Sequence, residues 1–130
     1  MTTTVNGDTG VSAVQPGAVE SLDLPAGTIL QVISGSTSSQ VANGASAFAD
    51  TGLTATITPK SATSNILVIV NQNGVQKNTG DASLSVGLRL MRNATNIATF
   101  ATTLLQTSTA LLQTGAAGVT VLDSPNTTSP

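Results

Sequence analysis

The sequence predicts an all-β fold, an antiparallel β-sandwich or jelly roll preceded by an extended N-terminal arm, and two features predict it. Seven or so short runs rich in β-branched residues are separated by turn-forming clusters. One of them, Ser83 to Met91, alternates apolar and polar residues with a period of two, the signature of a half-buried strand. At 130 residues the chain is the size of one ordinary domain.

Residues 1–27 read as the arm. Asn6-Gly7-Asp8-Thr9-Gly10, Pro16-Gly17 and Pro25-Ala26-Gly27 are turn formers, and Ala18 to Leu24 allows a helical turn or two. The arm has too few apolar residues for a core of its own, so it is expected to dock onto another component and anchor the chain.

Residues 28–130 are expected to form the sandwich. Thr28–Ser34 reads as a β-branched strand ending in a Ser/Gly loop, Ala47–Asp50 as a short strand, and Leu53–Thr58 as an alternating strand stopped by Pro59. Ile66-Leu67-Val68-Ile69-Val70 is a continuous apolar run, as for a strand buried on both faces. Asn73-Gly74 signals a turn and Lys77–Asp81 a loop.

In the alternating strand Leu84, Val86, Leu88 and Leu90 share one face, with Ser83, Ser85, Gly87, Arg89 and Met91 on the other. Asn93–Asn96 is a tight connection to a returning strand at Ile97–Thr102. Residues 103–114 carry Leu-Leu-Gln-Thr twice at a spacing of seven, which a helix could use. Their Thr and Ser content favours strand. Gly115–Gly118 reads as a turn, Val119–Leu122 as a last strand and 123–130 as a polar tail.

Composition narrows the function. Charged residues are 8% of the chain, against roughly 25% in an ordinary soluble domain. A 39% apolar content with a net charge of −2 argues against disorder. The longest apolar run is strand-sized, far short of the roughly 18 residues of a membrane helix. The N-terminus lacks the basic start and apolar stretch of a signal peptide, so assembly in a cytoplasm is expected. Four scattered cations make neither a nucleic-acid footprint nor a polybasic membrane patch, so neither partner is expected.

Proteins normally guard exposed strand edges with Lys, Pro and inward-facing charge. Here the strand-like segments carry almost none. An obligate oligomer or a lattice-bound protein is the expectation, since a core without Trp or Tyr has little surplus stability unless subunits bury surface between them.

Catalytic machinery is largely missing, and no enzyme is expected. There is no His and no Cys, which removes the common general base, the thiol nucleophile and most transition-metal ligands. A carboxylate pair of the glycosidase kind would have to come from Asp8, Glu20, Asp23, Asp50, Asp81 and Asp123. Of these, Asp50, Asp81 and Asp123 sit at strand ends, where Asp before Thr-Gly, after Gly and before Ser-Pro is an ordinary turn cap. Sugar sites usually stack rings on Trp or Tyr, and the two aromatics, Phe48 and Phe100, read as core.

Arg89 and Arg92 bracket Met91 on the polar face, open to pairing with Asp81 or a neighbouring subunit, or simply solvated. The sequons Asn93-Ala94-Thr95 and Asn126-Thr127-Thr128 are expected by chance in so Thr-rich a chain. No catalytic, cofactor-binding or metal-binding residue is assigned, and no cofactor is expected.

Gly27-Thr28-Ile29-Leu30-Gln31-Val32, the succession from Phe48 through Thr58-Pro59-Lys60 to Val68, and Leu88-Arg89-Leu90-Met91-Arg92-Asn93 together cover most of the chain. They resemble a module of tail-fibre-like and other virion structural proteins of cyanophages and other marine bacteriophages. The opening Val5-Asn6-Gly7-Asp8-Thr9-Gly10 is similar to N-terminal segments of phage fibre and minor structural proteins. The resemblance implies a virion protein of tail-fibre type, assembled in the host bacterial cytoplasm as a homotrimer. Its partners would be copies of itself, tail, baseplate or capsid proteins, and the host cell surface. A capsid decoration or head-fibre protein is the alternative, and a fragment of a polysaccharide depolymerase a more distant one. Members of that module continue with strand past the position of Pro130, so this chain is expected to be a piece of a longer one.

Overall fold

The computed structural model describes residues 24, 25, 27–78, 84–106 and 112–130. The chain divides into two units, Met1–Ser34 and Gly35–Pro130. The expected strand at residue 83 and the helical turns before residue 24 begin outside the described residues, as does most of the arm.

All regular structure among the described residues is β, with no helix. Four strands follow one another: β1 (Ile66–Lys77), β2 (Val86–Arg92), β3 (Thr95–Leu104) and β4 (Gln113–Asp123). β1 pairs antiparallel with β4 and β2 antiparallel with β3, giving two two-stranded sheets. β3 lies against β4, and β1 against β2.

The β1–β4 sheet is nearly regular. Ile66, Val68 and Val70 lie opposite Asp123, Val121 and Val119 on one half-buried face. Leu67 lies opposite Leu122, and Ile69 opposite Thr120, on the exposed face. The Ile66–Val70 run is therefore a strand as expected, but buried on one face only: Leu67 is 61% and Ile69 71% exposed.

Asn73-Gly74 does not turn the chain. β1 continues through it to Lys77 with one extra residue between Gln72 and Val75. Gly74 takes the left-handed φ of +68° that such a bulge uses, so the same glycine signal marks a bulge here. Lys77, read as a loop residue, is the buried last residue of β1. Gly115–Gly118 is likewise strand, not turn. A Cβ on Gly118 would come within 3.0 Å of the Val70 carbonyl oxygen, so the missing side chain serves close strand approach.

β2 and β3 form a hairpin around Asn93-Ala94, with Asn93 at φ +51°. The expected alternation holds along β2: Leu88 is buried and Val86 and Leu90 half-buried, while Arg89 and Met91 are exposed. Leu84 lies before the strand and is 54% exposed. β3 is three residues longer than β2, and the extra residues appear as three register shifts. The strand preferred for 103–114 is present at both ends, in β3 to Leu104 and β4 from Gln113; residues 107–111 lie outside the described set.

The expected strands at 28–34, 47–50 and 53–58 are not paired into a sheet. Residues 28–44 and 53–59 run without helix, strand, turn or bend. Outside the strands, the backbone–backbone hydrogen bonds among the described residues are Thr28 N–H to Pro25 O and Ser64 N–H to Ser61 O. The sequence supplied strand propensity, but strand pairing needs a second backbone.

Candidate assembly surface

The carboxylates come first, because an active site would need them together. Asp50 accepts a 2.8 Å hydrogen bond from the Gly52 N–H, and Gly52 has φ +76°. That is the expected turn cap. Asp123 is not a cap. It ends β4 and takes two hydrogen bonds, 2.6 and 2.8 Å, from Nη1 of Arg92. The two acids are thus committed to different partners. Asp8, Glu20, Asp23 and Asp81 lie outside the described residues, and no cluster of three metal-ligating side chains occurs among the described ones.

Arg92 corrects the placement of the two arginines on one face. With a period of two, Arg92 belongs with Leu88 and Leu90, and β2 turns it inward to reach Asp123 on the other sheet. Arg89 does lie on the outward face. Its guanidinium sits 3.7 Å from the centre of the Phe48 ring, a cation–π stack. The same ring would be 3.3 Å from a Cβ at Gly87, one step along that face, so Gly87 makes the ring's seat.

Phe48 is therefore not core: it is 50% exposed, and Phe100 is half-buried. A single ring already taken by Arg89 is a poor platform for a sugar. The sequon residues Asn93 and Asn126 both adopt left-handed φ, +51° and +53°, a conformation Asn tolerates better than most residues.

The hydrogen bonds of Thr37, Asn43 and Thr51 are local. The Asn43 amide donates to Ala47 O, and Asn43 Oδ1 accepts from Ala45 N–H. The hydroxyls of Thr37 and Thr51 accept from Ser39 N–H and Leu53 N–H. Gln31 and Thr58 have further partners of their own. One longer contact joins residues 35 and 54, where a side chain on Gly35 would collide with the Thr54 carbonyl oxygen. At the sheet end Ser124 Oγ donates to Asn65 Oδ1 at 2.6 Å. Opposite Lys77, which is 4% exposed and engaged with a partner, the buried Oε1 of Gln113 has no hydrogen-bond partner among the described residues.

The dominant feature is apolar. Among the described residues only Val75 and Leu88 are buried hydrophobics, each 9% exposed, and no large side chain is fully buried. Thirteen large hydrophobics are exposed, from Ile29 at 78% and Val32 at 79% to Ile69 at 71% and Leu122 at 62%. A two-stranded sheet alone is marginal in water, and surfaces of this kind mark interaction sites. Long stretches of the chain are uncharged: no charged residue lies between Asp23 and Asp50, between Lys60 and Lys77, or between Arg92 and Asp123.

Sequence reasoning expected strands with almost no charge; Lys77, Arg89, Arg92 and Asp123 nonetheless lie within the four strands. It missed the Arg92–Asp123 link, which strand parity would have found, and the Phe48–Arg89 stack, for which the sequence offered no signal. No helix among the described residues is long and apolar enough to cross a membrane. No protein-family model matches the chain, and no curated protein and no solved structure is similar to it.

Proposed function

We propose that this chain is a bacteriophage virion structural protein of tail-fibre type, anchored to the particle through residues 1–27 and assembled through residues 28–130 as a homotrimer. The observation that carries the assembly half is how little core the described residues form: two buried hydrophobics against thirteen exposed among them. Burying a Leu, Ile or Val side chain is worth roughly 1.5–3 kcal/mol. A chain that forgoes so much of that within itself recovers it against neighbours. The β-sandwich or jelly roll is then completed between subunits, with the segments at 28–34 and 53–58, which form no strand among the described residues, supplying strands to a neighbour.

The virion half rests on the resemblance carried by Phe48 to Val68 and Leu88 to Asn93. A depolymerase reading is weakened because Asp50 and Asp123 are each held by another group. Capsid decoration uses the same self-burying chemistry, and location separates it from a tail fibre.

Two measurements test the proposal. Sedimentation equilibrium of the purified chain should return three times the 12.9 kDa protomer mass. A well-folded monomer at micromolar concentration refutes the assembly half. Antibody labelling of intact particles should decorate the tail; head labelling transfers the chain to the decoration role, and no labelling ends the virion reading.

A further inference from the structure

We infer that the Asn43-Gly44 peptide is a site of spontaneous covalent modification, at which the asparagine side chain closes on the following backbone nitrogen, sheds ammonia and becomes aspartate or isoaspartate. The inference stands apart from the proposed assembly. Three Asn-Gly pairs occur in the chain, Asn6-Gly7, Asn43-Gly44 and Asn73-Gly74, and the first lies outside the described residues. Glycine after asparagine favours the reaction because no Cβ hinders the approach of its nitrogen to the side-chain carbonyl. As dipeptides the other two are alike; the structure separates them.

Asn43 and Gly44 are exposed, in a stretch without helix or strand. The Asn43 carboxamide is folded forward over the residues that follow and held at both ends. Its Oδ1 accepts a 3.0 Å hydrogen bond from the Ala45 N–H, and its Nδ2 donates a 2.8 Å bond to the Ala47 carbonyl oxygen. The first bond spans the Gly44 nitrogen, so the attacking atom belongs to the loop that this bond closes. It also aims a backbone N–H at the oxygen that gains charge during addition, the arrangement that stabilises an oxyanion. A Cβ at Gly44 would meet nothing within 4 Å, so water reaches the reacting atoms. Asn73-Gly74 is equally exposed but sits in β1, between Gln72, which pairs with Ala117, and Val75, which pairs with Gly115. Ring closure there requires the backbone to rotate inside a paired strand, and the pairing on both sides resists it.

The step balances with water as the sole co-reactant. Hydroxide takes the Gly44 N–H proton, and the nitrogen pair forms a bond to Cγ of Asn43 while the carbonyl pair moves onto Oδ1. That pair returns as the Cγ–Nδ2 bond breaks, and Nδ2 leaves as ammonia after taking a proton from water, which restores the hydroxide. Water then opens the succinimide ring at Cγ, giving aspartate, or at the main-chain carbonyl of residue 43, giving isoaspartate. Nothing is oxidised or reduced. The product carries a carboxylate in the uncharged stretch between Asp23 and Asp50, and it has no side-chain N–H to offer the Ala47 carbonyl. The bend at 45–47, immediately before Phe48, loses that tie.

The test incubates the full chain in mildly alkaline buffer, folded in one arm and unfolded in guanidinium chloride in the other, and follows both asparagines by peptide mapping. Trypsin, cutting after Lys60 and Lys77, puts them on different peptides. In the folded chain Asn43 should convert at least ~10-fold faster than Asn73, since ring closure in β1 waits on local opening. In guanidinium the two should convert within a few-fold of each other, as the same dipeptide without a fold around it. Gly44→Ala, in open space and outside the left-handed region, keeps the fold and should slow conversion of Asn43 by roughly 10-fold.

Equal rates at the two asparagines in the folded chain overturn the inference, as does faster conversion at Asn73 or an Asn43 that stays intact. A rate ratio that persists unchanged in guanidinium overturns it as well, because the fold then plays no part. Conversion of Asn43 at full speed in Gly44→Ala removes the ring-closing route and leaves direct hydrolysis of the side chain in its place.

Discussion

Removing Arg92 should cost more than removing its partner Asp123, and the structure sets the sizes. The pair joins β2 to β4, across the two sheets, through 2.6 and 2.8 Å contacts. Asp123 is 13% exposed and Arg92 34%. Unit charges 4 Å apart attract by about 4 kcal/mol at an effective dielectric of 20. Water reaching a third of Arg92, together with the desolvation of both groups, reduces this to a coupling of about 1–2 kcal/mol. Arg92→Met strands a carboxylate that water barely reaches, a loss of roughly 2–3 kcal/mol. Asp123→Asn keeps an acceptor and leaves a guanidinium able to turn to solvent, a loss of about 1 kcal/mol. A double-mutant cycle in urea, followed by circular dichroism at one fixed protein concentration, measures all three terms. A coupling below about 0.5 kcal/mol, or Asp123→Asn proving the worse variant, refutes the reasoning.

Leu88→Ala removes one of the two buried apolar side chains among the described residues and should cost about 2–4 kcal/mol in the same denaturation assay; a loss under 1 kcal/mol would mean that the β2–β3 hairpin adds little to stability. Phe48→Ala abolishes the stack with Arg89 and should lower stability by roughly 0.5–1 kcal/mol. It should also speed protease cleavage within 45–52, and unchanged cleavage would show that Phe48 does not pin this segment to β2. Gly74→Ala forces a side chain into a left-handed backbone and should cost about 1–2 kcal/mol. Gly44→Ala, with open space around it, should be neutral or slightly stabilising by thermal melting. Equal effects at the two glycines would contradict the bulge geometry.

Strand identity was legible at Ile66–Val70, Val86–Met91, Ile97–Thr102 and Val119–Leu122, where a run of apolar and β-branched residues or a period-two alternation marks the strand. Val86 to Arg92 kept its alternation because one face meets the rest of the domain. Ile66 to Val70 read as a doubly buried strand, but it has one half-buried and one exposed face, because a continuous apolar run does not say how many layers pack on it. Thr28 to Ser34 and Leu53 to Thr58 show the limit of propensity: β-branched side chains favour a strand without naming what it bonds to.

Glycine misled in two ways. Asn73-Gly74 and Gly115–Gly118 carry turn chemistry, yet one makes a bulge and the other admits a close carbonyl, uses the sequence alone does not separate from turns. The candidate surface was legible only as long uncharged stretches of sequence. Its location was not, because that depends on the register that sets Leu67 against Leu122.

The three offsets along the β2–β3 hairpin bear on how growth stops. A flat, evenly bonded ribbon would let one molecule template the next without end, as fibrils do. In this ribbon the spacing of β3 is interrupted after nearly every pair of residues, so an incoming ladder loses step and the border twists away. Under the proposed self-assembly, protomers would add at the more regular β1–β4 sheet, and a closed ring rather than an open filament is the product that this division of borders would favour.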